Sequence, residues 1–260
     1  MARSEARSGL GTRVHFTQTC DDDAPQLITA VQTTAAPLSD EGVVSTIHAD
    51  LAEKELLPGQ HLVDSGYVTI NNLVQSQSGY EVDLLGPTLK THWYQAETGY
   101  DLTHFSIDWE AETVTCPLGR ISSSWTPVQD AGKSLIKIKF SQSDCKVCPS
   151  RTSCTGTTRR TLTLHPREQM QALFAARQRE GTETFKETYR HRAGIEGTHS
   201  QGVRALGLRR SRYIGLPKTH LSHVALAAAI NVLQLMSFLR GEVPEQTRIS
   251  PFKRLMQQAA

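Results

Sequence analysis

The order of strand-like and helix-like segments in residues 11–87 restricts the fold more than any other feature of this sequence. Two segments rich in β-branched residues, 12–20 and 26–36, flank a turn of sequence Asp-Asp-Asp-Ala-Pro and predict an antiparallel hairpin. After the hairpin, apolar spacing alternates between the helical and the extended period, which predicts a helix (39–57), a strand ending at Asp64, a helix (69–79) and a strand (80–87). Strands that alternate with helices in this way predict an α/β fold around a mixed sheet.

The composition of the sequence changes twice beyond this region. Residues 88–165 are rich in Thr, Ser, Gly and Trp and predict a β-rich insertion, while the chain becomes helical from Pro166 onward. We therefore expect four parts: the first part of the core (1–87), the insertion (88–165), a helical part that closes the core (166–241) and a loosely ordered tail (242–260).

The apolar run at 224–239 predicts a buried core helix. It contains Asn231 and Gln234 and is shorter than the roughly 20 residues that a membrane span needs. The N-terminus has no apolar segment of the kind found in signal peptides. We therefore expect a cytoplasmic protein without a membrane partner, in a compartment where disulfides are rare.

Basic residues are concentrated in residues 189–218, although the net charge of the 260-residue chain is only +2. Within this segment Glu196 is the single acidic residue, against Arg190, Arg192, Arg204, Arg209, Arg210, Arg212 and Lys218. A local positive field of this kind favours a polyanion such as nucleic acid. The alternative is a solvated helix face, which would normally carry interspersed acids.

Two carboxylates stand out as candidate metal ligands. Asp64 ends a short apolar strand and precedes Ser and Gly, and ligand sites in α/β sheets gather at the carboxyl ends of strands. Tyr189, Arg192 and Glu196 have the spacing of one helix face. The alternatives are that Asp64 caps the following helix and that Glu196 forms an ordinary ion pair with an arginine.

Four of the five cysteines have spacings that suggest structural zinc. Cys145, Cys148 and Cys154 form a C-x2-C-x5-C pattern, and Cys116 lies 29 residues before the first of them. Four thiolates suit tetrahedral zinc, which would also help a segment of low apolar content to fold. Free, partly buried thiols are the alternative, and Cys20 is expected to be a small core residue.

Three of these regions together resemble the C-terminal part of DDE transposases of bacterial insertion sequences. They are residues 61–68 around Asp64, residues 189–221, and the cysteine-containing segments. The resemblance extends over about residues 10 to 250 and implies a ribonuclease H-like catalytic fold. It matches Asp64 with the second catalytic Asp of the family, Glu196 with its catalytic Glu, and Tyr189, Arg192 and Glu196 with its tyrosine–arginine–glutamate signature.

The resemblance also implies a chemistry and its partners. Mg²⁺ (or Mn²⁺), held by Asp64 and Glu196, would support hydrolysis and strand transfer at transposon ends, in a homodimer around paired DNA ends. The expected DNA-contacting residues are Tyr189, Arg192, Arg204, Arg209, Arg210, Arg212 and Lys218. The family's lysine seven residues after the glutamate is replaced here by Val203, with Arg204 next to it.

The chain also departs from the family at the first catalytic Asp. That residue should lie on a strand before the hairpin, and Asp21, Asp22 and Asp23, in the predicted turn, are not expected to replace it. We therefore expect an N-terminally truncated transposase whose mixed sheet lacks its first strand and which is inactive alone. The alternatives are a non-catalytic DNA-binding remnant and a non-functional gene fragment that folds poorly because a sheet edge is exposed.

Overall fold

The computed structural model describes residues 11–89 and 98–242, which form two compact units of mixed α and β structure. The first unit contains the described residues of 11–67, 75–86 and 182–242, and the second contains those of 68–74 and 87–181. The tail predicted for 242–260 lies outside the described residues from position 243 onward.

The elements predicted for the first 87 residues are confirmed. In chain order they are β1 (Thr12–Gln18), β2 (Ile28–Ala35), α1 (Val43–Glu53), β3 (Gln60–Leu62), α2 (Ile70–Tyr80) and β4 (Asp83–Leu85). β1 and β2 form the expected antiparallel hairpin, with an irregularity at the end of β1. The strand predicted to end at Asp64 is shorter than expected and ends two residues earlier.

The single mixed sheet expected for this region is not formed within residues 11–89 and 98–242. β1 pairs with β2 alone, and β3 pairs in parallel with β4 alone. A groove that residues of both strands line separates β1 from β3, and the two strands do not hydrogen-bond to each other.

The second unit carries its own core. Its elements are β5 (Ser106–Asp108), β6 (Thr113–Thr115), β7 (Ser124–Asp130), β8 (Lys133–Lys139), α3 (Gln142–Lys146), α4 (Arg151–Cys154), β9 (Thr161–Leu164) and α5 (Arg167–Glu180). β7, β8 and β9 form an antiparallel sheet, and β5 pairs with β6. Apolar residues such as Phe105, Ile138 and Met170 are buried together here, so the β-rich segment has more core than its composition suggested.

Three helices complete the first unit: α6 (Glu183–Arg190), α7 (Gly194–Leu206) and α8 (Leu216–Leu239). Adjacent residues of β2 point to opposite faces of the hairpin. On one face Ala30 packs with residues of α1, and on the other Val31 packs in a cluster that includes Ile230 of α8. The hairpin is therefore covered on both faces.

The expectation that the apolar C-terminal segment is a buried core helix is wrong. α8 buries one stripe only, formed by Thr219, His223, Ala227 and Ile230, which recur at helical spacing. The Asn231 side chain fixes this stripe to β2, because it accepts the Ile28 N–H at 2.7 Å and donates to the Ile28 carbonyl at 2.9 Å. Many apolar side chains on the other faces are exposed, including Leu221, Val232 and Leu239.

The helix that contains the apolar run at 224–239 begins earlier, at Leu216. α8 has 24 residues, which, by length and composition, is enough to cross a membrane. Only 17% of its most apolar 18-residue window is buried. Core helices of soluble proteins satisfy the same criterion of length and composition.

Candidate active site

One arginine joins the two candidate carboxylates of the first unit. Arg192 Nη2 lies 3.3 Å from Asp64 Oδ2, and Arg192 Nη1 lies 3.1 Å from Glu196 Oε1. The arginine side chain is 22% exposed, whereas those of Asp64 and Glu196 are 57% and 70% exposed. The Arg192 side chain is thus mostly buried beside the two acids, and carboxylate oxygens of both acids remain accessible to solutes.

Asp64 is positioned by a tight turn after β3. Its Oδ1 accepts the Ser65 N–H at 2.9 Å, and its carbonyl accepts the Tyr67 N–H at 3.0 Å as the chain enters a 3-10 turn. One carboxylate oxygen of Asp64 therefore bonds the turn, and the other faces Arg192.

Glu196 lies in the first turn of α7, where the partial positive charge of the helix N-terminus favours a carboxylate. Tyr189, Arg192 and Glu196, expected on one helix face, belong to three successive elements, because α6 ends at Arg190 and a 3-10 turn (His191–Ala193) precedes α7. Arg192 nevertheless reaches both neighbours, with its guanidinium 6.0 Å from the centre of the Tyr189 ring.

Polar contacts behind Glu196 fix α7 against β1 and α8. The Thr198 hydroxyl donates to the Gln18 side chain, and the Gln234 amide donates to that hydroxyl at 3.0 Å. The His199 ring stacks on Phe16 at 5.0 Å, and burial lowers the pKa of this histidine, as do His15 and Arg192 nearby. Sequence reasoning did not find Gln18 or Thr198, since neither belongs to a motif.

A second polar pair supports the Asp64 turn. The Tyr67 hydroxyl lies 2.6 Å from His15 Nδ1, and Thr34 Oγ1 lies 3.0 Å from the other nitrogen of that ring. Burial, together with the nearby Asp40 and Asp64 carboxylates, raises the pKa of Tyr67 to about 12. Tyr67 is therefore a neutral phenol at neutral pH, and its role was also missed from the sequence.

Two grooves meet at Glu196. The first, here the β1–β3 groove, has a volume of about 350 Å³ and is lined by residues of β1 and β3 and by Asp64, Arg192 and Glu196. The second, here the basic groove, has a volume of about 980 Å³ and is lined by residues that include Glu196, Ser200, Arg204 and Arg209. Glu196 and His199 line both grooves.

Two of the predicted DNA-contacting cations, Arg204 and Arg209, line the basic groove. Arg204 lies on α7, Arg209, Arg210 and Arg212 lie in the loop between α7 and α8, and Lys218 lies in the first turn of α8. All five are exposed, and no ion pair of theirs occurs in the described part of the chain. Val203, at the position of the family's lysine, packs against the core, so Arg204 is the cation that faces solvent.

The turn between β1 and β2 brings further acids toward the site. Asp21 lines the β1–β3 groove, and Asp22 Oδ1 lies 3.5 Å from His191 Nδ1. Within the described ranges, however, no three side chains of His, Cys, Asp or Glu converge as a metal-binding group.

The four cysteines of the zinc prediction all lie in the second unit. Each is half-buried and forms no disulfide within the described residues, and Cys116, Cys145 and Cys154 pack against the same apolar core. Burial raises the pKa of the Cys154 thiol, Arg160 opposes this effect, and the other three thiols add to it. The Arg160 N–H donates to Cys145 Sγ at 3.5 Å. The thiols are thus within electrostatic reach of one another, although no metal-ligand group is formed in the described residues.

A comparison with protein families covers most of the residues described above, although not Asp64. Residues 115–236 match the family model described as transposase DDE domain. This stretch is a DDE-type transposase region. No curated protein and no solved structure matches the chain.

The transposase region contains Tyr189, Arg192 and Glu196, as well as the basic loop and the four cysteines of the second unit. Asp64 precedes it, so the link of Asp64 to the transposase region is its ion pair with Arg192. The match supports a transposase function in general and, with it, a DNA substrate and a divalent metal requirement.

Proposed function

We propose that Asp64 and Glu196 form part of a Mg²⁺- or Mn²⁺-dependent phosphoryl-transfer site on a ribonuclease H-like core, and that the chain binds the DNA of transposon ends beside it. The observation that carries this proposal is the Arg192 side chain, which holds both carboxylates at the junction of the two grooves. The transposase region, which includes Glu196 and Arg192, gives the reaction class.

The donor set fits a hard divalent cation. Asp64 and Glu196 offer exposed carboxylate oxygens, and Mg²⁺ typically takes one or two protein carboxylates and fills its remaining positions with water and phosphate oxygens. When bound, the metal would stabilise negative charge on the attacking and leaving oxygens at phosphorus. Arg192 orients the two carboxylates and offers N–H donors to a phosphate oxygen.

The basic groove gives the DNA path. Arg204 and Arg209 line it together with Glu196, and Arg210, Arg212 and Lys218 extend the positive charge beyond it. The Tyr189 ring lies 6.0 Å from the Arg192 guanidinium and is stacked on Phe185. Contacts of this kind bind the phosphate backbone and position DNA without reading its sequence.

The isolated chain is proposed to bind DNA without cutting it. Phosphoryl transfer in this class relies on three converging carboxylates, and two converge in the described residues. Of the acids in the β1–β2 turn, Asp21 lines the same groove, so it is the residue to test as a substitute.

Nicking of supercoiled plasmid in Mg²⁺ or Mn²⁺ tests this proposal, because a single cut is enough to relax the substrate. We expect no nicking by the unmodified chain. Nicking that is lost in Asp64→Asn, Glu196→Gln and Asp21→Asn, and retained in the exposed control Glu183→Gln, would show that Asp21 completes the site and that the proposed inactivity is wrong.

DNA affinity measured against salt concentration tests the groove separately. Since each lost phosphate contact lowers the slope of log K against log salt by about 0.9, Arg209→Ala with Arg210→Ala should lower it by about 2. The control changes Arg120 and Lys133, two exposed cations of the second unit, to alanine. Equal slopes for both double variants would contradict binding along the basic groove.

We also propose structural zinc at Cys116, Cys145, Cys148 and Cys154. The thiols come from a turn after β6 and from the α3–α4 segment. Three of them pack against one core, and all four share one set of electrostatic interactions. Zinc would draw the sulfurs together as a closed tetrahedral thiolate site.

A further inference from the structure

Arg160, in the second unit, is a buried cation that has no carboxylate partner in the described part of the chain. The residue is only 7% exposed. The ion pairs that the structure describes in this unit join His104, Lys137 and Arg167 to acids instead. A buried charge is strongly unfavourable unless an opposite charge or hydrogen bonds compensate it, so the position of this guanidinium requires a physical reason.

Neutral groups surround the guanidinium and satisfy only part of it. Its two terminal nitrogens donate to the Cys154 carbonyl at 2.8 Å and to the Tyr100 carbonyl at 3.2 Å. The guanidinium carbon lies 5.4 Å from the centre of the Phe105 ring. The remaining nitrogen, Nε, is buried and has no hydrogen-bond partner within the described residues. These contacts leave one N–H without an acceptor and the positive charge without a counter-ion.

The cysteine group lies beside this cation. The Arg160 backbone N–H donates to Cys145 Sγ at 3.5 Å. Cys116, Cys145 and Cys154 pack against the apolar core that contains Phe105, whose ring the guanidinium also contacts. Burial raises the pKa of the Cys154 thiol, and the positive charge of Arg160 acts against this effect. Thiolates in this group would therefore supply the negative charge that the guanidinium lacks.

The charge of an occupied zinc site matches this arrangement. A Zn²⁺ ion bound by four thiolates carries two net negative charges. Such a centre is unfavourable beside an apolar core unless positive charge or N–H donors compensate it. Arg160 offers both, since its backbone N–H already bonds one sulfur and its side chain carries the charge. Groups that contact metal ligands in this way orient them and strengthen metal binding.

We propose that Arg160 is the buried counter-charge of the cysteine site and that it stabilises the deprotonated, metal-bound state of the four thiols. This inference rests on the structural zinc proposed above and identifies the residue that sets its affinity. As the S–Zn bonds form, the four thiols release their protons to solvent. Arg160 then gains a counter-ion, whereas without metal its charge stays unpaired. The guanidinium therefore favours the occupied site.

Metal affinity of the full chain tests the proposal. Competition with a chelator measures binding of Zn²⁺ and Co²⁺, and the sulfur-to-cobalt charge-transfer absorption reports coordination by thiolates. We expect Arg160→Gln to lower the affinity by about ten-fold or more, as is typical when a group that supports metal ligands is removed. Arg160→Lys keeps the charge and changes the hydrogen bonds, so it should recover most of the affinity.

The matched control is Arg159→Gln, which removes the same charge from the neighbouring, less buried residue and should leave the affinity unchanged. Thermal melts without metal report whether each variant folds. Metal binding that is equally tight in Arg160→Gln and in the unmodified chain would overturn the role of Arg160 and leave the zinc site standing. No cobalt absorption in any form would reject the zinc site and this inference with it.

Arg160→Lys keeps the proposal testable if Arg160→Gln does not fold. A loss of about ten-fold or more in this variant would overturn the proposal, because the charge is retained and only the geometry of the hydrogen bonds has changed. An affinity close to that of the unmodified chain, in a variant that has lost the guanidinium, would support a role of the charge itself.

Discussion

At the scale of single residues, Arg192 decides the charge of the site. It neutralises part of the field of Asp64 and Glu196, which would otherwise be two unshielded carboxylates on one groove. A divalent cation would compete with this guanidinium for the same oxygens, whereas a phosphate would gain from it. Removal of Arg192 should therefore raise the affinity for a divalent cation and lower the affinity for a phosphate.

We predict that Arg192→Gln binds Mn²⁺ several-fold more tightly and DNA several-fold more weakly than the unmodified chain. Loss of one charge interaction of about 1 kcal/mol corresponds to a factor of about five. Calorimetric titration with Mn²⁺ and fluorescence anisotropy with a DNA duplex measure the two effects. The control, Lys186→Gln, removes an exposed lysine that pairs with Glu183 at 2.7 Å. A change of both affinities in the same direction would contradict the proposed role of Arg192.

The cysteines give a second prediction at this scale. We expect the purified chain to contain about one zinc ion, the number that four thiolates hold at a structural site. Cys148→Ser and Cys116→Ser should lose the metal, as measured by elemental analysis and by the visible spectrum of the cobalt-substituted protein. Cys20→Ser is the control, because Cys20 lies outside the cysteine group of the second unit. Zinc content that is insensitive to Cys148 and Cys116 would exclude the site.

At the scale of secondary-structure elements, the packing of α7 sets the position of Glu196. Gly202 lies where α7 comes closest to its neighbours, since a Cβ there would be 3.1 Å from Leu208 Cδ2 and 3.4 Å from Ile230 Cδ1. Gly197, one turn or so earlier on the same helix, has open space around the equivalent position. Substitutions at the two glycines therefore distinguish an effect of helix propensity on stability from an effect of packing.

We predict that Gly202→Val lowers the free energy of unfolding by about 1–3 kcal/mol, because an overpacked side chain pushes α7 away from α8. Gly197→Ala should raise it by about 0.5–1 kcal/mol, because alanine favours the helix over glycine. Urea unfolding followed by circular dichroism measures both. If both variants changed the free energy of unfolding in the same direction, the close packing around Gly202 would not determine the effect of a side chain there.

The elements also show where sequence patterns are sufficient. The alternation in 12–18 and 28–35 and the helical spacing in α1 and α2 are local properties of the chain, and these elements are confirmed. The burial of α8 is not local. Its uniform apolar composition predicted a buried helix, yet within the described residues it buries one stripe only, against β2 and α7.

At the scale of the whole molecule, buried histidines couple folding to pH. His61 Nδ1 lies 3.0 Å from His48 Nε2, and burial, with His48 nearby, lowers the pKa of His61 to about 4. Burial also lowers the pKa of His48 itself. The folded state therefore binds fewer protons than the unfolded state, in which a histidine has a pKa of about 6.5.

The sign of the pH effect follows from this difference. The contribution of His61 is fully present above pH 6.5 and is lost as the pH falls through the window from 6.5 to about 4. We predict that the free energy of unfolding falls by about 2 kcal/mol between pH 7 and pH 5 from this residue. Urea unfolding at a series of pH values measures it. His61→Asn should flatten the dependence even if it is less stable overall, and an unchanged slope would show that other groups dominate.

The sequence by itself determined the local elements, the basic character of 189–218 and the resemblance to DDE transposases, now supported over residues 115–236. These properties depend on residue spacing and on charge counts within short segments. It also gave Asp64 and Glu196 as candidates, but each had an ordinary structural alternative.

Only the tertiary structure decided which of the candidates meet. Asp64 and Glu196 are far apart in the chain, and Arg192 contacts both because β3 and α7 line the same groove. The separation of β1 from β3, the one-sided burial of α8 and the supports from Thr198 and Tyr67 likewise depend on long-range packing. Pairing between distant segments is set by the free energy of the whole fold, and local sequence patterns do not predict it.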